Sequence, residues 1–128
     1  MWKENVLIIK NRNEALYLQL DRILYIQADG NYCNIYFSDG SILNTLTYQR
    51  AEMARMIQEQ VSEEYSKQFV MLGKSYLVNI DYVLRIQPSK QLLTFNVNQF
   101  GTTQKINLMA TKKALNQLIT EIEEVAAR

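Results

Sequence analysis

The stretch Phe69-Val-Met-Leu-Gly-Lys-Ser-Tyr-Leu-Val-Asn-Ile-Asp-Tyr-Val83 joins a short polar turn to apolar, strand-like segments on both of its sides. The turn holds Gly73, Lys74 and Ser75, which supply a flexible backbone, a cation and a hydroxyl donor. These groups suit an anionic partner, and their presence requires no enzyme chemistry. The stretch therefore predicts a hairpin that holds a polar, cationic binding surface on a rigid scaffold.

Length and composition limit the class of protein. The chain has 128 residues, 48% of them apolar and 21% charged, which predicts one folded domain over residues 1–128. It contains no histidine, so nucleophile activation by imidazole and histidine-ligated zinc are excluded, and we expect no enzyme activity, cofactor or metal. No apolar run is long enough to span a bilayer, and the single Cys33 has no partner for an internal disulfide. We therefore expect a cytoplasmic protein without membrane contact.

The spacing of apolar residues predicts a mainly β fold with two amphipathic helices. Apolar residues at three- and four-residue steps predict helices over residues 48–61 and 110–126. Five strands before the first helix are interpreted as a meander with tight turns at Gly30 and Gly40, and five more are predicted between the helices. The predicted strands cover residues 6–9, 15–20, 23–28, 32–37, 41–46, 69–72, 76–80, 83–86, 92–97 and 104–108.

The net charge of +1 hides a separation of charge along the chain. Between residues 65 and 113 there are seven cations and one acid, Asp81, which gives this segment a local charge of +6. A patch of this kind attracts phosphate groups, although the same lysines are equally compatible with ordinary solvated positions. The seven cations are Lys67, Lys74, Arg85, Lys90, Lys105, Lys112 and Lys113.

Several of these residues carry a resemblance to a known family. The run Lys74-Ser75-Tyr76-Leu77-Val78-Asn79, with Phe69 before it and Val83 after it, resembles the most recognisable segment of the LytTR family, the DNA-binding output domains of many bacterial response regulators. Ile23-Leu24-Tyr25-Ile26 and Gly30-Asn31-Tyr32 resemble its early strand and loop, and the order of elements is similar across residues 5–122. The resemblance implies an elongated stack of antiparallel β-sheets that binds double-stranded DNA through loops in successive major grooves.

The resemblance also implies where the DNA contacts lie. Family members carry contact residues in the loop leading into the fourth strand, just before the serine of the motif, and in the segment entering the last helix. Carried onto this chain, these places fall on residues 31–34, on Lys74 with Ser75 and on residues 109–113, and two of the three retain plausible hydrogen-bond donors. Lysines entering the last helix and on the strand before it are expected to contact phosphate. The predicted DNA-binding residues are Asn31, Cys33, Asn34, Lys74, Ser75, Lys105, Lys112 and Lys113.

Some of these residues have structural alternatives. Cys33 shares the strand alternation of Ile35 and Phe37, which favours a buried position over DNA contact. Asn31 is equally well explained by a left-handed turn conformation. Asn79 is interpreted as a residue that bonds the backbone before Asp81. In addition, apolar residues occupy positions 108–110, where the family often has a polar residue and an arginine.

The leading hypothesis is a bacterial transcriptional regulator, or its DNA-binding part, that binds a short duplex sequence as two copies. Because a receiver or sensor domain does not fit into 128 residues beside this fold, we expect an input signal from another segment, from a sensor or receiver protein acting in trans, or no input signal at all. The competing hypothesis is a protein-interaction module that keeps the scaffold without DNA readout. Such a module would bind a partner through exposed strand edges or the apolar stripe of residues 115–125.

Overall fold

The computed structural model describes residues 5–10, 12–46, 50–99 and 101–127, which form ten strands and three α-helices. Single-turn 3₁₀ helices cover Leu20–Arg22, Ile80–Tyr82 and Pro88–Lys90. The α-helices are α1 (Arg50–Gln60), α2 (Glu63–Ser66) and α3 (Lys112–Ala127). The strands are β1 (Val6–Lys10), β2 (Ala15–Gln19), β3 (Ile23–Asp29), β4 (Tyr32–Phe37), β5 (Ile42–Leu46), β6 (Phe69–Leu72), β7 (Tyr76–Asn79), β8 (Val83–Gln87), β9 (Leu92–Gln99) and β10 (Thr102–Met109).

The strands form three antiparallel sheets. A five-stranded sheet has the order β5-β4-β3-β7-β6, a three-stranded sheet has the order β10-β9-β8, and β1 pairs with β2. The predicted mainly β fold with antiparallel sheets is therefore confirmed. The predicted meander of the first five strands is correct for β3, β4 and β5 alone, because β1 and β2 form their own sheet and β7 pairs with the free side of β3.

The five-stranded sheet is buried on both of its faces, which explains why β3 takes a distant partner. One face packs with α1 and the β1-β2 hairpin around Ile26, Ile35 and Met53, which have no exposed surface. The other face packs with the three-stranded sheet and α3 around Phe95, Leu115 and other buried residues. Burial on both faces favours the continuous apolar runs seen in β3 and β7 over strict alternation.

Asn79 connects the two short 3₁₀ turns at one end of the sheet. Its side-chain Nδ2 donates to the carbonyls of Leu20 at 3.4 Å and Ile23 at 3.0 Å, and its Oδ1 accepts from the backbone N–H of Asp81 at 3.1 Å. The side chain is completely buried. Asn79 therefore bonds the Ile23 carbonyl and the Asp81 N–H, and adds a second donor to the Leu20 carbonyl, which also accepts from the backbone N–H of Ile23. These bonds agree with its predicted structural role.

No helix in the described parts of the chain is long and apolar enough to cross a membrane. Helices α1 and α3 confirm the two predicted amphipathic helices. Helix α3 begins two residues later and ends one residue later than predicted, and positions 48 and 49 of the first predicted helix lie outside the described residues. The single turn α2 was not predicted, because four residues are too few to display a helical period.

Candidate nucleic-acid interface

Two polar turns meet at one end of the five-stranded sheet. The β3-β4 turn carries Asn31, and the β6-β7 turn carries Lys74 and Ser75. They are neighbours because β3 pairs with β7, and the backbone N–H of Ala28 donates to the carbonyl of Ser75 at 2.7 Å. The sheet register thus brings together two segments that are more than forty residues apart in sequence.

Helix α3 begins beside the β6-β7 turn. Gly73 adopts a positive φ of 59°, and a Cβ added at this glycine would lie 3.6 Å from the Cβ of Ala114 in the first turn of α3. A groove of about 540 Å³ lies between them and is lined by both Lys74 and Lys113. The third predicted contact segment is therefore adjacent to the second.

The start of α3 is fixed by a side-chain cap and by a neighbouring turn. The Oγ1 of Thr111 accepts from the backbone N–H of Ala114 at 3.1 Å. The backbone N–H of Ala110 donates to the carbonyl of Gln91 at 3.2 Å, which anchors the chain just before the helix. Lys112 and Lys113 are exposed in a first turn that contains no acidic residue. Because a helix N-terminus already carries partial positive charge, these lysines concentrate positive potential there.

A layer of tyrosines supports the surface next to these turns. The ring of Tyr25 stacks on Tyr36 with a centroid distance of 4.4 Å and contacts Tyr76 edge to face at 5.8 Å. It also stacks on Phe95 of the three-stranded sheet at 5.7 Å. Burial, together with the neighbouring Tyr36 and Tyr76, raises the pKa of Tyr25 to about 12. Tyr25 therefore stays neutral at physiological pH, and its ring contacts tie β4, β3 and β7 to β9.

Gln27 occupies the middle of the same layer. Its Nε2 donates to the hydroxyl of Tyr76 at 3.5 Å, and its Oε1 accepts from the hydroxyl of Tyr36 at 3.2 Å. Asn34 lies opposite Gln27 in the strand register and is half-buried, about three strand positions from Asn31. Asn34 is therefore at the edge of the proposed surface, at a distance of about 10 Å from the turn.

Cys33 corrects one prediction of DNA contact. Its side chain is 0% exposed and packs in the core on the α1 side of the sheet. Burial raises the pKa of its thiol, with a smaller contribution from Glu52. The structure therefore supports the alternative drawn from strand alternation, and Cys33 is left out of the interface. The left-handed conformation considered for Asn31 is also wrong, because Gly30 takes the positive φ of this turn.

Lys105 is separated from the other predicted residues. It is exposed on β10 opposite Asn96, four residues before the end of that strand at Met109. This spacing places it about 13 Å from the strand end that leads into α3. The structure therefore brings together Asn31, Lys74, Ser75, Lys112 and Lys113 at one end, with Asn34 at the edge and Lys105 further away.

Two charged residues near this end were not assigned from the sequence. Asp29 is exposed beside the β3-β4 turn, where the sequence predicted a tight turn and assigned no charged contact. Lys90 precedes Gln91, whose carbonyl contacts the chain just before α3. Lys90 had been counted in the cationic segment, but its place in the fold depends on the pairing of β9 with β10. Among the described residues, the charged side chains beside the two turns and the start of α3 therefore include Asp29 and four lysines, Lys74, Lys90, Lys112 and Lys113.

Helix α3 uses its apolar stripe internally. Leu115 and Leu118 are completely buried, and Ile122 and Val125 pack against the same core. The stripe that the competing hypothesis assigned to a partner is thus covered by this chain's own sheet. Of the apolar residues just before the helix, Leu108 is likewise buried in this chain's own core, whereas Met109 is exposed. Within the described residues, no cluster of three or more Asp, Glu, Cys or His side chains is arranged to hold a metal ion.

The fold and this end define a class of protein: a β-rich domain of stacked antiparallel sheets that presents cationic loops beside the start of its last helix. The sequence model described as the LytTr DNA-binding domain matches residues 13–120. The chain belongs to the LytTr DNA-binding domain family. This family is defined by DNA binding in response regulators and is not a catalytic family.

A solved structure supports the same fold. It is the LytTr DNA-binding domain of a protein described as a methyl-accepting/DNA response regulator from Bacillus cereus. The TM-score is 0.57, the sequences are 11% identical, and the alignment covers 94% of this chain and 98% of that one. At this identity the similarity supports the fold alone. A search of curated proteins finds no match.

Proposed function

We propose that residues 1–128 act as a single DNA-binding domain that recognises a short sequence in double-stranded DNA through loops in the major groove. The observation that carries this proposal is the meeting of the β3-β4 turn, the β6-β7 turn and the start of α3 at one end. Loops at such an end can approach a duplex from one side. The chain would serve as a bacterial transcriptional regulator or its output domain, acting in the cytoplasm.

The side chains at this end suit different parts of the duplex. Lys74 is exposed in the β6-β7 turn, where its ammonium could donate to guanine O6 and N7. Asn31 and Asn34 carry amides, which suit the N6 and N7 atoms of adenine. Lys112 and Lys113 would contact phosphates, helped by the N-terminal end of the helix dipole. Lys105 would contact the flanking phosphate backbone, because a duplex is longer than the distance between Lys105 and α3.

The number of copies and the source of the signal extend the proposal. Two copies on a direct or inverted repeat would double the recognised length, because each copy presents one end to the DNA. The input would come from another segment or from a sensor or receiver protein that contacts the domain in trans. A homodimer on DNA would form without requiring a stable dimer in solution.

Selection of bound duplexes from a random pool tests the proposal. We expect the enriched sequences to share a short motif, and the protein to bind that motif more tightly than a scrambled duplex at moderate salt. The same experiment with Lys74→Ala should lose part of the enrichment. A pool that yields no motif, together with equal binding of motif and scrambled duplexes, would contradict sequence-specific recognition. Mass measurement on the enriched duplex would then count the copies bound.

A further inference from the structure

A second surface lies at the opposite end of β6 and α3 from the cationic turns. Strand β6 is the outermost strand of the five-stranded sheet, and its outer side borders a groove of about 600 Å³. Residues from α1 and α2 form one wall, and residues from the second half of α3 form the other. Within the described residues, no strand pairs with β6 on this side.

The pairing of β6 with β7 determines which backbone groups face the groove. The backbone N–H of Ile80 donates to the carbonyl of Gln68 at 2.8 Å, so Gln68 bonds toward β7. Because antiparallel strands alternate between bonded and non-bonded pairs, Val70 bonds toward β7 as well. The N–H and C=O groups of Phe69 and Met71 therefore face outward, in the arrangement that an added strand requires.

The two walls of the groove differ in chemistry. Phe69 packs in the core on the α1 side, and Met71, two residues further along, shares its face and is 39% exposed. On the other wall, Glu121 and Glu124 of α3 line the groove. Glu63 of α2 adds a third carboxylate and Lys67 one cation, so the charged lining is net negative by two.

The charge of this groove identifies its occupant. A net negative lining repels a phosphate backbone, so a nucleic acid does not fit. An extended peptide bonded to Phe69 and Met71 would place alternate side chains on the apolar α1 wall and the remaining ones beside Glu121 and Glu124. Apolar residues fit the first set of positions and basic residues fit the second.

We propose that this groove binds an extended segment of a partner protein, with alternating apolar and basic residues, as an added antiparallel strand on β6. This goes beyond DNA binding and does not depend on it. Lys112 and Glu124 are twelve residues apart on α3, or about 18 Å, so the two ends can be occupied together. A domain that binds DNA at one end and a partner at the other can connect a regulatory protein to a promoter.

A synthetic fluorescent peptide of alternating valine and lysine tests the proposal by anisotropy titration. We expect saturable binding of this peptide and none of a valine-glutamate counterpart. In an antiparallel strand the residues bonded to Phe69 and Met71 lie directly opposite them and share their face, so these positions are the valines. Peptides N-methylated at valine should therefore fail to bind, because the valine N–H groups donate to the β6 carbonyls. Peptides N-methylated at lysine should bind like the unmodified peptide, since those N–H groups face away. This comparison leaves the protein unchanged, so its folding cannot affect the result.

Matched variants test the acidic wall. Replacement of both groove residues, Glu121→Gln with Glu124→Gln, should weaken peptide binding at least about fivefold, because rim charges steer and hold a basic partner. Glu123→Gln, on the same helix but outside the groove, should leave it unchanged. Binding of random duplex DNA should be the same in all three proteins. Equal affinity for the valine-methylated peptide, or no effect of the double replacement, would overturn the proposal. So would a dimer that the double replacement dissociates, because a second copy would then occupy the groove.

Discussion

Single residues at the cationic end have roles that their exposure and contacts define. Lys74 is exposed in a turn that is held on one side by the bond from Ala28 to Ser75. On the other side the turn lies beside the start of α3, where a Cβ added at Gly73 would be 3.6 Å from the Cβ of Ala114. A lysine on a rigidly held turn can discriminate between bases, because its ammonium is held at one base position of the major groove. Cys33, although close in sequence to Asn34, has no exposed surface and serves the core.

Replacing Lys74 by alanine should weaken binding of the selected duplex by about 1–3 kcal/mol and flatten discrimination at one base position. Lost affinity alone would indicate a phosphate contact, so duplexes carrying each base at each position must be titrated. Lys67→Ala is the control, because Lys67 is exposed in the acidic groove and should not affect DNA binding. Unchanged affinity of Lys74→Ala for both selected and scrambled duplexes would remove Lys74 from the interface.

Asn79 gives a test of stability that is independent of DNA. Asn79→Ala removes the side-chain hydrogen bonds to the Leu20 and Ile23 carbonyls and to the Asp81 N–H, and should lower the free energy of unfolding by about 1–3 kcal/mol. Asn79→Asp should cost more at pH 7, where a buried carboxylate would face two carbonyl oxygens.

The pH dependence of Asn79→Asp follows from the same contacts. Burial beside carbonyl oxygens should raise the pKa of the new carboxyl in the folded state, so the folded state binds more protons and its stability falls as pH rises. Urea unfolding at pH 5 and pH 7 measures this difference against the parent. Asn98→Ala, at an exposed residue bonded to Thr103, should change stability by less than about 0.5 kcal/mol. Equal losses for Asn79→Ala and Asn98→Ala would contradict the role of Asn79.

At the scale of elements, helix α3 has a buried apolar face and an exposed cationic first turn. Leu115 and Leu118 bury one face against the sheets, while Lys112 and Lys113 are exposed at its beginning. Carboxylates are the residues that stabilise a helix N-terminus, so lysines in the first turn reduce the stability of α3. A helix that keeps destabilising cations at this position is consistent with a start that faces phosphates.

Lys112→Glu should therefore change stability and DNA binding in opposite directions. Its carboxylate would interact favourably with the N-terminal end of the helix dipole and raise the free energy of unfolding by about 0.3–1 kcal/mol. The same carboxylate would repel phosphate, so affinity for duplex DNA should fall. Urea unfolding and DNA titration of one preparation measure both effects. Asn116→Glu, beyond the first turn, should give a smaller change in stability. A Lys112→Glu protein that binds DNA like the parent would place the start of α3 outside the interface.

The individual strands and the hairpins between consecutive strands were predictable from the sequence, whereas the pairing of strands that are distant in the chain was not. The apolar pattern and the Gly30 and Gly40 turns identified β4 and the β3-β4-β5 hairpins, because these depend on residues close in sequence. The pairing of β3 with β7 joins Ile26 to Leu77, and burial on both faces removed the alternation that could have indicated it. The proximity of the three contact segments depends on the pairing of β3 with β7. The resemblance to the family could therefore imply this proximity, whereas the spacing of apolar residues could not.

At the scale of the whole molecule, positive and negative charge occupy different ends of the same two elements. Lys74 follows the end of β6, and Lys112 begins α3. Glu121 and Glu124, in the second half of α3, lie beside the start of β6. The net charge of +1 therefore says little about binding. A duplex that approaches the cationic end meets an oriented field, which favours one docking geometry over others.

The salt dependence of DNA binding measures how many lysines contact phosphates of the bound duplex. Each lysine that neutralises a phosphate contributes about 0.9 to the slope of log K against log salt, through release of a counterion. Lys112→Ala and Lys113→Ala should each reduce the slope by about 0.9, and Lys105→Ala by the same amount if the duplex extends along β10. Lys67→Ala should leave the slope unchanged, because Lys67 lies in the acidic groove.

An unchanged slope for Lys105→Ala alone would confine the duplex to the end formed by the two turns and α3, since about 13 Å of strand separates Lys105 from that end. Unchanged slopes for all three would mean that phosphates contact another surface, because each lysine that neutralises a phosphate releases a cation condensed on the DNA.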